Sequence, residues 1–238
     1  DLVFFGVKLW DTEAAARSVA PQLGRQTAVV SFQNSVVKDD ILRDVLGADH
    51  VMGGVCYIAS TVSEPGVIRH SGTMQKLVFG EYDGGESPRA LRLRDACAQA
   101  GIDVELSQDI QRAIWEKFVF LSAFSGITSA VRAPIGPVRA NEQARAFLHD
   151  AMDEAVQVAR AEGVAIPADY AEDRLVFADQ LPASMTSSMY HDLERGNRIE
   201  LAWLSGDVLA RGERLGVPTP CNRAIVALLS IYGDGSAG

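Results

Sequence analysis

A lysine lies inside one of the most apolar stretches of this 238-residue chain. Lys117 stands within the apolar run of residues 114–121, and Leu121 and Ser125 follow it at helical spacing. Such a lysine either extends its stem to water or serves chemistry, because burying an ammonium is costly unless a partner offsets it. Its charge can stabilise a developing oxyanion, and its proton leaves more easily when burial lowers the pKa of a lysine from about 10.4. Lys117 is therefore the first candidate for a catalytic group.

A second segment supplies hydroxyls and an acid. Ser188 lies in a Ser-Ser-Met sequence, and Glu200 follows on the predicted opening turn of a helix over residues 197–215. The ordinary role for Ser188 is a helix cap, and the ordinary role for Glu200 is a solvated acid stabilised by the helix dipole. A hydroxyl donor and an acid would also suit a substrate site that contains a lysine. From these residues alone both interpretations remain open.

Further short segments accompany these two in a fixed order along the chain. The full set is Val7-Lys8-Leu9-Trp10, Phe32-Gln33-Asn34-Ser35, Pro65-Gly66-Val67-Ile68-Arg69-His70, Trp115-Glu116-Lys117, Ser187-Ser188-Met189 and Leu215-Gly216-Val217-Pro218-Thr219-Pro220. Together these segments resemble the ketopantoate reductase family, in which a W-x-K helix faces an S-S-M segment and a glutamate, and the enzyme reduces 2-dehydropantoate with NADPH. The resemblance runs nearly end to end.

The resemblance implies a role for each matching residue. Lys117 would be the catalytic proton donor, and Ser188 would donate a hydrogen bond to the substrate. Glu200 would lie close to Lys117 and to the cofactor ribose, so it is assigned to both catalysis and cofactor binding. Lys8 and Asn34 would bind NADP at the carboxyl ends of two parallel strands, where ligands bind in open α/β sheets. Without the resemblance, Asn34 is a turn former and Lys8 a solvated strand terminus.

The sequence departs from the family at the substrate site. The family places asparagines one and two helical turns after the lysine and a third beyond the helix end. Here those positions hold Leu121, Ser125 and Ile135. A site that hydrogen-bonds a substrate hydroxyl loses discrimination when its partners become apolar. We therefore assign Leu121 and Ser125 to substrate binding and expect a substrate that is more apolar than ketopantoate.

The pattern of the first 107 residues predicts β-α construction. Apolar strands alternate with amphipathic helices, which is typical of a mostly parallel sheet of the Rossmann type. Short β pieces separated by Gly and Pro then indicate antiparallel additions. The predicted elements are strands over 2–9 and 27–32, a turn over 33–35, helices over 12–23 and 39–46, β pieces over 51–58, 66–70 and 76–79, a helix over 88–100 and a strand over 102–106.

The sequence lacks the G-x-G-x-x-G turn that opens a dinucleotide-binding domain. Gly53-Gly54 and Gly84-Gly85 do not have that spacing and are predicted to be turn glycines. Either the protein never bound a dinucleotide, or the first β-α-β-α-β of the domain precedes Asp1. We favour the second explanation, because Asp1 falls where the fourth strand of the family would begin. The determinants of NADP over NAD would then lie in the absent segment.

From residue 108 to residue 238 the pattern predicts an all-α domain for substrate binding and dimerisation. The predicted helices cover 113–130, 143–162, 168–177, 197–215 and 220–232, with a Gly/Ser-rich tail after Tyr232. The fold class is therefore α/β: a partial Rossmann-type sheet domain over 1–107, followed by the helical domain.

Composition narrows the class of protein further. The chain has 31 acidic and 22 basic residues, a net charge of -9 and no basic run, which argues against binding nucleic acid. The longest apolar stretch, residues 113–131, carries Glu116 and Lys117, so we expect no membrane span. Cys56, Cys97 and Cys221 are too scattered for a zinc site or a disulfide framework. No metal is predicted, and a cytoplasmic location fits best.

The combined hypothesis is an NADPH-dependent reductase of a 2-oxo acid or a related carbonyl compound. Its partners would be the small-molecule substrate and a second copy of the chain. An alternative from another class is a ligand-binding or degenerate paralogue that keeps the fold without turnover, which the departures at Leu121, Ser125 and Ile135 favour. A lysine-dependent dehydrogenase of β-hydroxy acids on a similar two-domain plan is a third possibility.

Overall fold

The structure, a computed structural model, describes residues 2–235. Asp1, which was predicted to begin a strand, and the last three residues of the Gly/Ser-rich tail lie outside the described residues. The chain forms two compact units, Asp1–Ile114 and Trp115–Gly238. The predicted domain boundary between residues 107 and 108 stays a prediction.

The first unit is built on a five-stranded sheet with the order β1-β2-β3-β4-β5. All neighbouring strands are parallel except β3 and β4, which are antiparallel, as predicted. The elements are β1 (Leu2–Phe5), α1 (Thr12–Val19), β2 (Ala28–Ser31), α2 (Val37–Leu46), β3 (Val51–Glu64), β4 (Val67–Gly80), α3 (Pro88–Gln99) and β5 (Asp103–Leu106).

The two faces of the sheet are covered by different helices. Strand β2 is buried throughout, and its alternating side chains divide between the faces. Val29 packs with Ala16 of α1 and Leu42 of α2. Val30 packs with residues of α3. Burying each such aliphatic side chain stabilises the fold by about 1.5–3 kcal/mol, which explains why the β-α spacing of the sequence is realised.

Strands β3 and β4 form one long hairpin of 14 residues per strand, not the three short pieces that were predicted. The prediction for Gly53-Gly54 was also wrong, because both glycines lie inside β3. A Cβ at Gly53 would lie 2.7 Å from the Ile110 side chain, and one at Gly54 would lie 2.8 Å from the Ser31 carbonyl oxygen. Their lack of a side chain permits close packing. Gly84 does lie in a turn, with a φ of 75°.

Lys8 does not end a strand, which corrects the prediction for residues 2–9. Strand β1 stops at Phe5, because its pairing with β2 extends only from Leu2 to Phe5. Lys8 instead precedes a 3-10 turn over Leu9–Asp11 that leads directly into α1. It still follows the carboxyl end of β1.

The second unit is helical, as predicted. Helix α4 (Ile110–Val131) contains the boundary between the units. Two helices, α5 and α8, were not among the predicted helices; at α5, Pro134, Gly136 and Pro137 interrupt the apolar pattern. The remaining helices are α5 (Ile135–Ala140), α6 (Glu142–Ala161), α7 (Tyr170–Gln180), α8 (Ser188–Glu194), α9 (Ser205–Leu215) and α10 (Pro220–Leu229).

The predicted helix over residues 197–215 was wrong in its first eight residues. Glu200 precedes a 3-10 turn over Leu201–Trp203, and α9 begins only at Ser205. Two features prevent a continuous helix. The backbone N–H of Ile199 donates to the Gly233 carbonyl oxygen at 3.1 Å, and Leu204 has non-helical angles of φ -111° and ψ -105°. Glu200 therefore does not lie in the first turn of an α-helix.

Among the described residues, no helix combines the length and the apolar character that crossing a bilayer requires.

Candidate active site

Helix α4 carries the predicted catalytic and substrate residues on one side. At about 100° per residue, Leu121 lies about 40° and Ser125 about 80° around the helix from Lys117. Thr128 lies only about 20° from Lys117 by the same count, because the eleven residue steps from Lys117 to Thr128 make slightly more than three whole turns. The four side chains thus form a column along α4. The candidate site in the second unit is built on this column.

Burial differs strongly along this column. Lys117 and Leu121 are half-buried, whereas Ser125 and Thr128 are buried. The Thr128 hydroxyl donates to the Phe124 carbonyl oxygen at 2.7 Å, which satisfies its donor inside the helix. The half-buried end of the column, at Lys117 and Leu121, is therefore the part that a small molecule could reach.

The other end of the column holds the beginning of α8. The hydroxyl oxygens of Thr128 and Ser187 lie 3.4 Å apart, and both residues are buried. Ser187 is the N-cap of α8, since its hydroxyl oxygen accepts from the Tyr190 N–H at 3.1 Å. The cap role therefore belongs to Ser187 and not to Ser188. Ser188, the first residue of α8, is exposed and lies next to this contact.

The segment before α8 is also joined to α5. The backbone N–H of Ile135 donates to the Met185 carbonyl oxygen at 3.0 Å, and that of Gly136 donates to the Ala183 carbonyl oxygen at 2.9 Å. Ile135 is fully buried. Its side chain therefore packs in the core, at a position where the family resemblance implies an asparagine that holds the substrate.

Glu200 is half-buried and lies in the segment between α8 and α9. The neighbouring Ile199 is tied to Gly233, as described above. Arg132, just after α4, connects the same region: its guanidinium lies 3.4 Å from the Glu194 carboxylate and 5.0 Å from the Tyr232 ring centroid. Arg132, just after the C-terminal end of α4, thus contacts both the end of α8 and Tyr232. Tyr232 precedes Gly233, whose carbonyl oxygen accepts the hydrogen bond from Ile199.

Close packing fixes α4 against its neighbours within the second unit. A Cβ at Gly126 would lie 2.8 Å from the Ile225 side chain of α10 and 3.0 Å from the Ser205 hydroxyl of α9. Near Lys117, the Tyr170 hydroxyl donates to the Glu116 carbonyl oxygen at 3.3 Å. Both contacts limit movement of the helix that presents Lys117.

The predicted cofactor residues lie in the first unit, after two adjacent parallel strands. Lys8 follows β1 and is exposed, with its ammonium 5.5 Å from the Trp10 ring centroid. Asn34 follows β2 and is half-buried. Because Phe5 of β1 pairs with Ser31 of β2, these two residues come from the same edge of the sheet.

This edge offers side chains that suit parts of a dinucleotide. The exposed ammonium of Lys8 suits a phosphate, and the side-chain amide of Asn34 can both donate and accept hydrogen bonds. Both follow the carboxyl ends of parallel strands, which is where ligands bind in open α/β sheets. The residues present therefore fit a nicotinamide dinucleotide.

The predicted site residues fall into two sets. In the second unit, Lys117, Leu121 and Ser125 share one side of α4, and the α4 column contacts the cap that precedes Ser188. The approach of the Lys117 ammonium to Ser188 and Glu200 stays a prediction. In the first unit, Lys8 and Asn34 share one sheet edge.

Two residues that form part of this arrangement, Thr128 and Ser187, were not among the predicted site residues. A signal for Thr128 exists in the sequence, since it repeats the direction of Lys117 after three helical turns. Ser187 carries the N-cap signal of a serine followed by an apolar helix, which the adjacent Ser188 obscures.

Comparison with known proteins agrees with this architecture. Residues 1–84 match the family profile described as ketopantoate reductase PanE/ApbA, and residues 109–233 match its C-terminal counterpart. An uncharacterized oxidoreductase of Bacillus subtilis (strain 168), YkpB, is 30% identical over 98% of this chain and 77% of its own length. A 2-dehydropantoate 2-reductase of Halobacterium salinarum is 31% identical over 97% of this chain and 75% of its own length.

Solved structures show the same fold. A PanE/ApbA family ketopantoate reductase from Ralstonia eutropha JMP134 superposes with a TM-score of 0.88 at 35% identity, covering 98% of this chain and 76% of that one. A D-mandelate dehydrogenase solved with NADH and anilino(oxo)acetate also superposes with a TM-score of 0.88, covering 98% and 75%, but at 18% identity it shares the fold alone.

The fold and the matched segments define an oxidoreductase with a Rossmann-like domain followed by a helical domain. The chain belongs to the ketopantoate reductase family.

Proposed function

We propose that this protein is an NADPH-dependent reductase of a 2-oxo acid or a related carbonyl compound, with a substrate more apolar than ketopantoate. The observation that carries the proposal is the column on α4, with Lys117 and Leu121 half-buried at one end and Thr128 in contact with the cap before Ser188 at the other. A lysine held at the half-buried end of a fixed helix suits the reduction of a carbonyl, and the approach of the Ser188 hydroxyl to it is part of the proposal.

Each residue has a defined role in this proposal. Lys8 and Asn34 hold the cofactor, which supplies the hydride when bound. The Lys117 ammonium stabilises the negative charge that develops on the carbonyl oxygen and donates a proton to that oxygen. Ser188 donates a hydrogen bond to the substrate, and Glu200 binds the cofactor ribose and balances the charge of Lys117. Leu121 offers the substrate an apolar contact.

The decisive variant is Lys117→Ala. We expect kcat for NADPH oxidation with a responsive 2-oxo acid to fall by about 10²–10⁴, the contribution typical of a positioned acid or base. The Kd for NADPH should change little, because Lys117 is not among the residues proposed to hold the cofactor. Absorbance at 340 nm measures turnover, and titration calorimetry measures binding.

Lys76→Ala is the matched control. Lys76 lies on β4 and pairs with Glu105 at 2.6 Å. Its loss should leave both kcat and the Kd for NADPH unchanged. If Lys117→Ala loses NADPH affinity and kcat to the same extent, the lysine has a structural role and the proposal is wrong.

A non-catalytic paralogue is the alternative, and the buried Ile135 favours it. This alternative predicts that the protein binds NADPH and a 2-oxo acid without turning either over. A broad panel of 2-oxo acids, tested at 340 nm with the bound state confirmed by calorimetry, separates the two functions.

The proposal extends to assembly and location. A small-molecule substrate and a second copy of the chain are the proposed partners, and sedimentation at micromolar concentration would show the two-chain species. The three cysteines are free thiols, which supports a reducing, cytoplasmic location.

A further inference from the structure

Gln33 makes a set of side-chain hydrogen bonds at the sheet edge that carries Lys8 and Asn34. Its Nε2 atom donates to the Val7 carbonyl oxygen at 2.7 Å and to the Thr12 hydroxyl oxygen at 2.9 Å. Its Oε1 atom accepts from the Ser31 hydroxyl at 2.9 Å. Both amide hydrogens are used, and Thr12 and Ser31 are fully buried.

The orientation of this amide is fixed by its partners. A carbonyl oxygen can only accept, so the nitrogen of Gln33 must face Val7 and the oxygen must face Ser31. The Ser31 hydroxyl oxygen also accepts from the Gln33 backbone N–H at 3.2 Å, which closes a small ring around the end of β2. A rotated amide would place two oxygens against each other at Val7.

The two acceptors of Nε2 enclose the turn that carries Lys8. Val7 immediately precedes Lys8, and Thr12 follows the 3-10 turn Leu9–Asp11. The turn is closed internally by the Asp11 N–H, which donates to the Lys8 carbonyl oxygen at 3.0 Å. One nitrogen atom of Gln33 thus holds both ends of this turn, 26 and 21 residues away along the chain.

Asn34 is the residue next to Gln33, so the same side chain links the two predicted cofactor residues. The backbone continues the arrangement, since the Ser35 N–H donates to the Gln33 carbonyl oxygen at 3.1 Å. We infer that Gln33 is a positioning residue for the cofactor: it joins the turn after β1 to the turn after β2 and sets the spacing of Lys8 and Asn34. This inference rests on the proposed function, in which those two residues bind the dinucleotide.

Gln33→Glu tests the inference, because it preserves the shape and removes the donor. At pH 8 a carboxylate oxygen would face the Val7 carbonyl oxygen, and the turn that holds Lys8 would move. We expect the Kd for NADP⁺ to rise about tenfold, the equivalent of about 1.4 kcal/mol, with kcat at saturating cofactor changed less than about twofold. Calorimetry measures the Kd, and steady-state kinetics measures kcat.

A pH profile separates positioning from general damage to the fold. Protonation returns one donor to the Gln33→Glu side chain, so the ratio of variant to wild-type Kd should fall towards one between pH 8 and pH 5. Gln22→Glu is the matched control: Gln22 is exposed in the same unit and donates to the Ser18 carbonyl oxygen at 3.4 Å. The ratio of the Kd of Gln22→Glu to the wild-type Kd should remain near one from pH 8 to pH 5.

Two companion variants distinguish the inference from the proposal on which it rests. Lys8→Ala and Asn34→Ala should each weaken NADP⁺ binding if the proposed cofactor role is right. If they do so while Gln33→Glu binds as the wild type does, the positioning role is overturned and the proposed function stands. If the wild-type protein does not bind NADP⁺ at all, both are overturned.

A measurement on the wild-type protein keeps the inference testable if Gln33→Glu does not fold. In a ¹H–¹⁵N spectrum, the side-chain NH₂ pair of Gln33 should shift when NADP⁺ is added, and that of Gln22 should not. An unchanged Gln33 pair in a protein saturated with NADP⁺ would overturn the positioning role.

Discussion

In the proposed site, Leu121 is the departure from the family pattern that a bound substrate would meet. It lies one turn after Lys117 and is half-buried, so its side chain is within reach of a molecule bound at the lysine. Ser125 and Ile135, the other two departures, are buried and have less contact with solvent. Among the three positions, Leu121 is therefore the one at which a single substitution can change substrate preference.

Leu121→Asn should move that preference towards hydroxylated 2-oxo acids. The new amide can pair with a substrate hydroxyl that would otherwise be buried without a partner, an effect worth about 1–3 kcal/mol. We expect the ratio of kcat/KM for ketopantoate to kcat/KM for an unbranched apolar 2-oxo acid to rise about tenfold or more. Leu215→Asn, at the end of α9, is the control. An unchanged ratio in Leu121→Asn would show that residue 121 does not contact the substrate.

Cys221 should be a poor nucleophile. Burial, with the nearby Glu154 carboxylate, raises the pKa of the Cys221 thiol to about 12. Only about one molecule in 10⁴ would then carry the thiolate at pH 8, against about a quarter in the unfolded chain. Because the native pKa is raised, the stabilisation linked to this thiol is complete below about pH 8.5 and is lost as the pH rises through about 12.

Iodoacetamide labelling at pH 8, followed by peptide mass spectrometry, checks this expectation. Native Cys221 should react about 10³-fold more slowly than the same residue in guanidinium chloride. Cys56, which is half-buried in the same chain, serves as the internal comparison. Equal rates for native and unfolded Cys221 would contradict the expectation.

At the scale of elements, local pattern predicted most of the fold. The β-α units and the long helices have strong apolar periodicity, and the antiparallel addition after β3 was confirmed. The hairpin β3–β4 was harder to predict, because its outer half is exposed. Its sequence there lacks the alternation of apolar and polar residues that burial of one face imposes. The predicted break between residues 70 and 76 contains Gly72, which lies within β4 at φ 73°.

The misplaced beginning of α9 has a different cause. The segment around Glu200 has helical composition, but a hydrogen bond from Ile199 to the distant Gly233 holds it in another conformation. Contacts between residues far apart in sequence leave no periodic trace. The same reason applies to the candidate site: residue types and spacing made Lys117 and Ser188 candidates, whereas the contact between Thr128 and Ser187 depends on how two helices pack.

Helix α2 carries a buried ion pair outside the proposed site, and Tyr82 in the turn after β4 is hydrogen-bonded to it. Lys38 and Asp39 are each 1% exposed, and their charged atoms lie 2.6 Å apart. The Tyr82 hydroxyl donates to the same carboxylate oxygen of Asp39 at 2.7 Å. Burial raises the pKa of the Asp39 carboxyl, although Lys38 and Tyr82 both oppose that rise.

Removing one partner of this ion pair should lower the free energy of unfolding more than removing both partners. Asp39→Asn leaves the Lys38 ammonium buried without its counter-charge, and we expect it to lower the free energy of unfolding by about 3–5 kcal/mol. The double variant Lys38→Met/Asp39→Asn keeps an acceptor for Tyr82 and should recover most of that loss. Urea unfolding at pH 7 measures both variants. A double variant less stable than Asp39→Asn would contradict this account.

The pH dependence of the same comparison has a definite sign. A raised native pKa means that the folded protein binds the Asp39 proton more tightly than the unfolded chain does, so the contribution of Asp39 to wild-type stability falls as the pH rises above about 4. The double variant has no such group at either position. Its stability relative to the wild type should therefore increase from pH 4 towards neutrality.

For the molecule as a whole, the dominant electrostatic fact is the excess of acidic residues. The net charge of -9 acts on every anion that approaches, including a 2-oxo acid and a dinucleotide phosphate. The proposed site offers only a few cations against this field. The net negative charge of the protein therefore repels an anionic substrate at long range, whereas the cations of the proposed site attract it at short range. Salt screens the long-range repulsion before it screens the short-range attraction.

This balance predicts that kcat/KM for an anionic 2-oxo acid rises with ionic strength. The screening length falls from about 30 Å at 10 mM salt to about 8 Å at 150 mM, which removes most of the repulsion between the protein and the incoming substrate. With NADPH saturating, we expect kcat/KM to increase about two- to threefold over this range, because the substrate reaches the site more often. The methyl ester of the same acid, which is neutral, should show no change and serves as the control. A fall in kcat/KM for the acid alone would mean that the local positive charge of Lys117 acts over a longer range than the net charge of the protein.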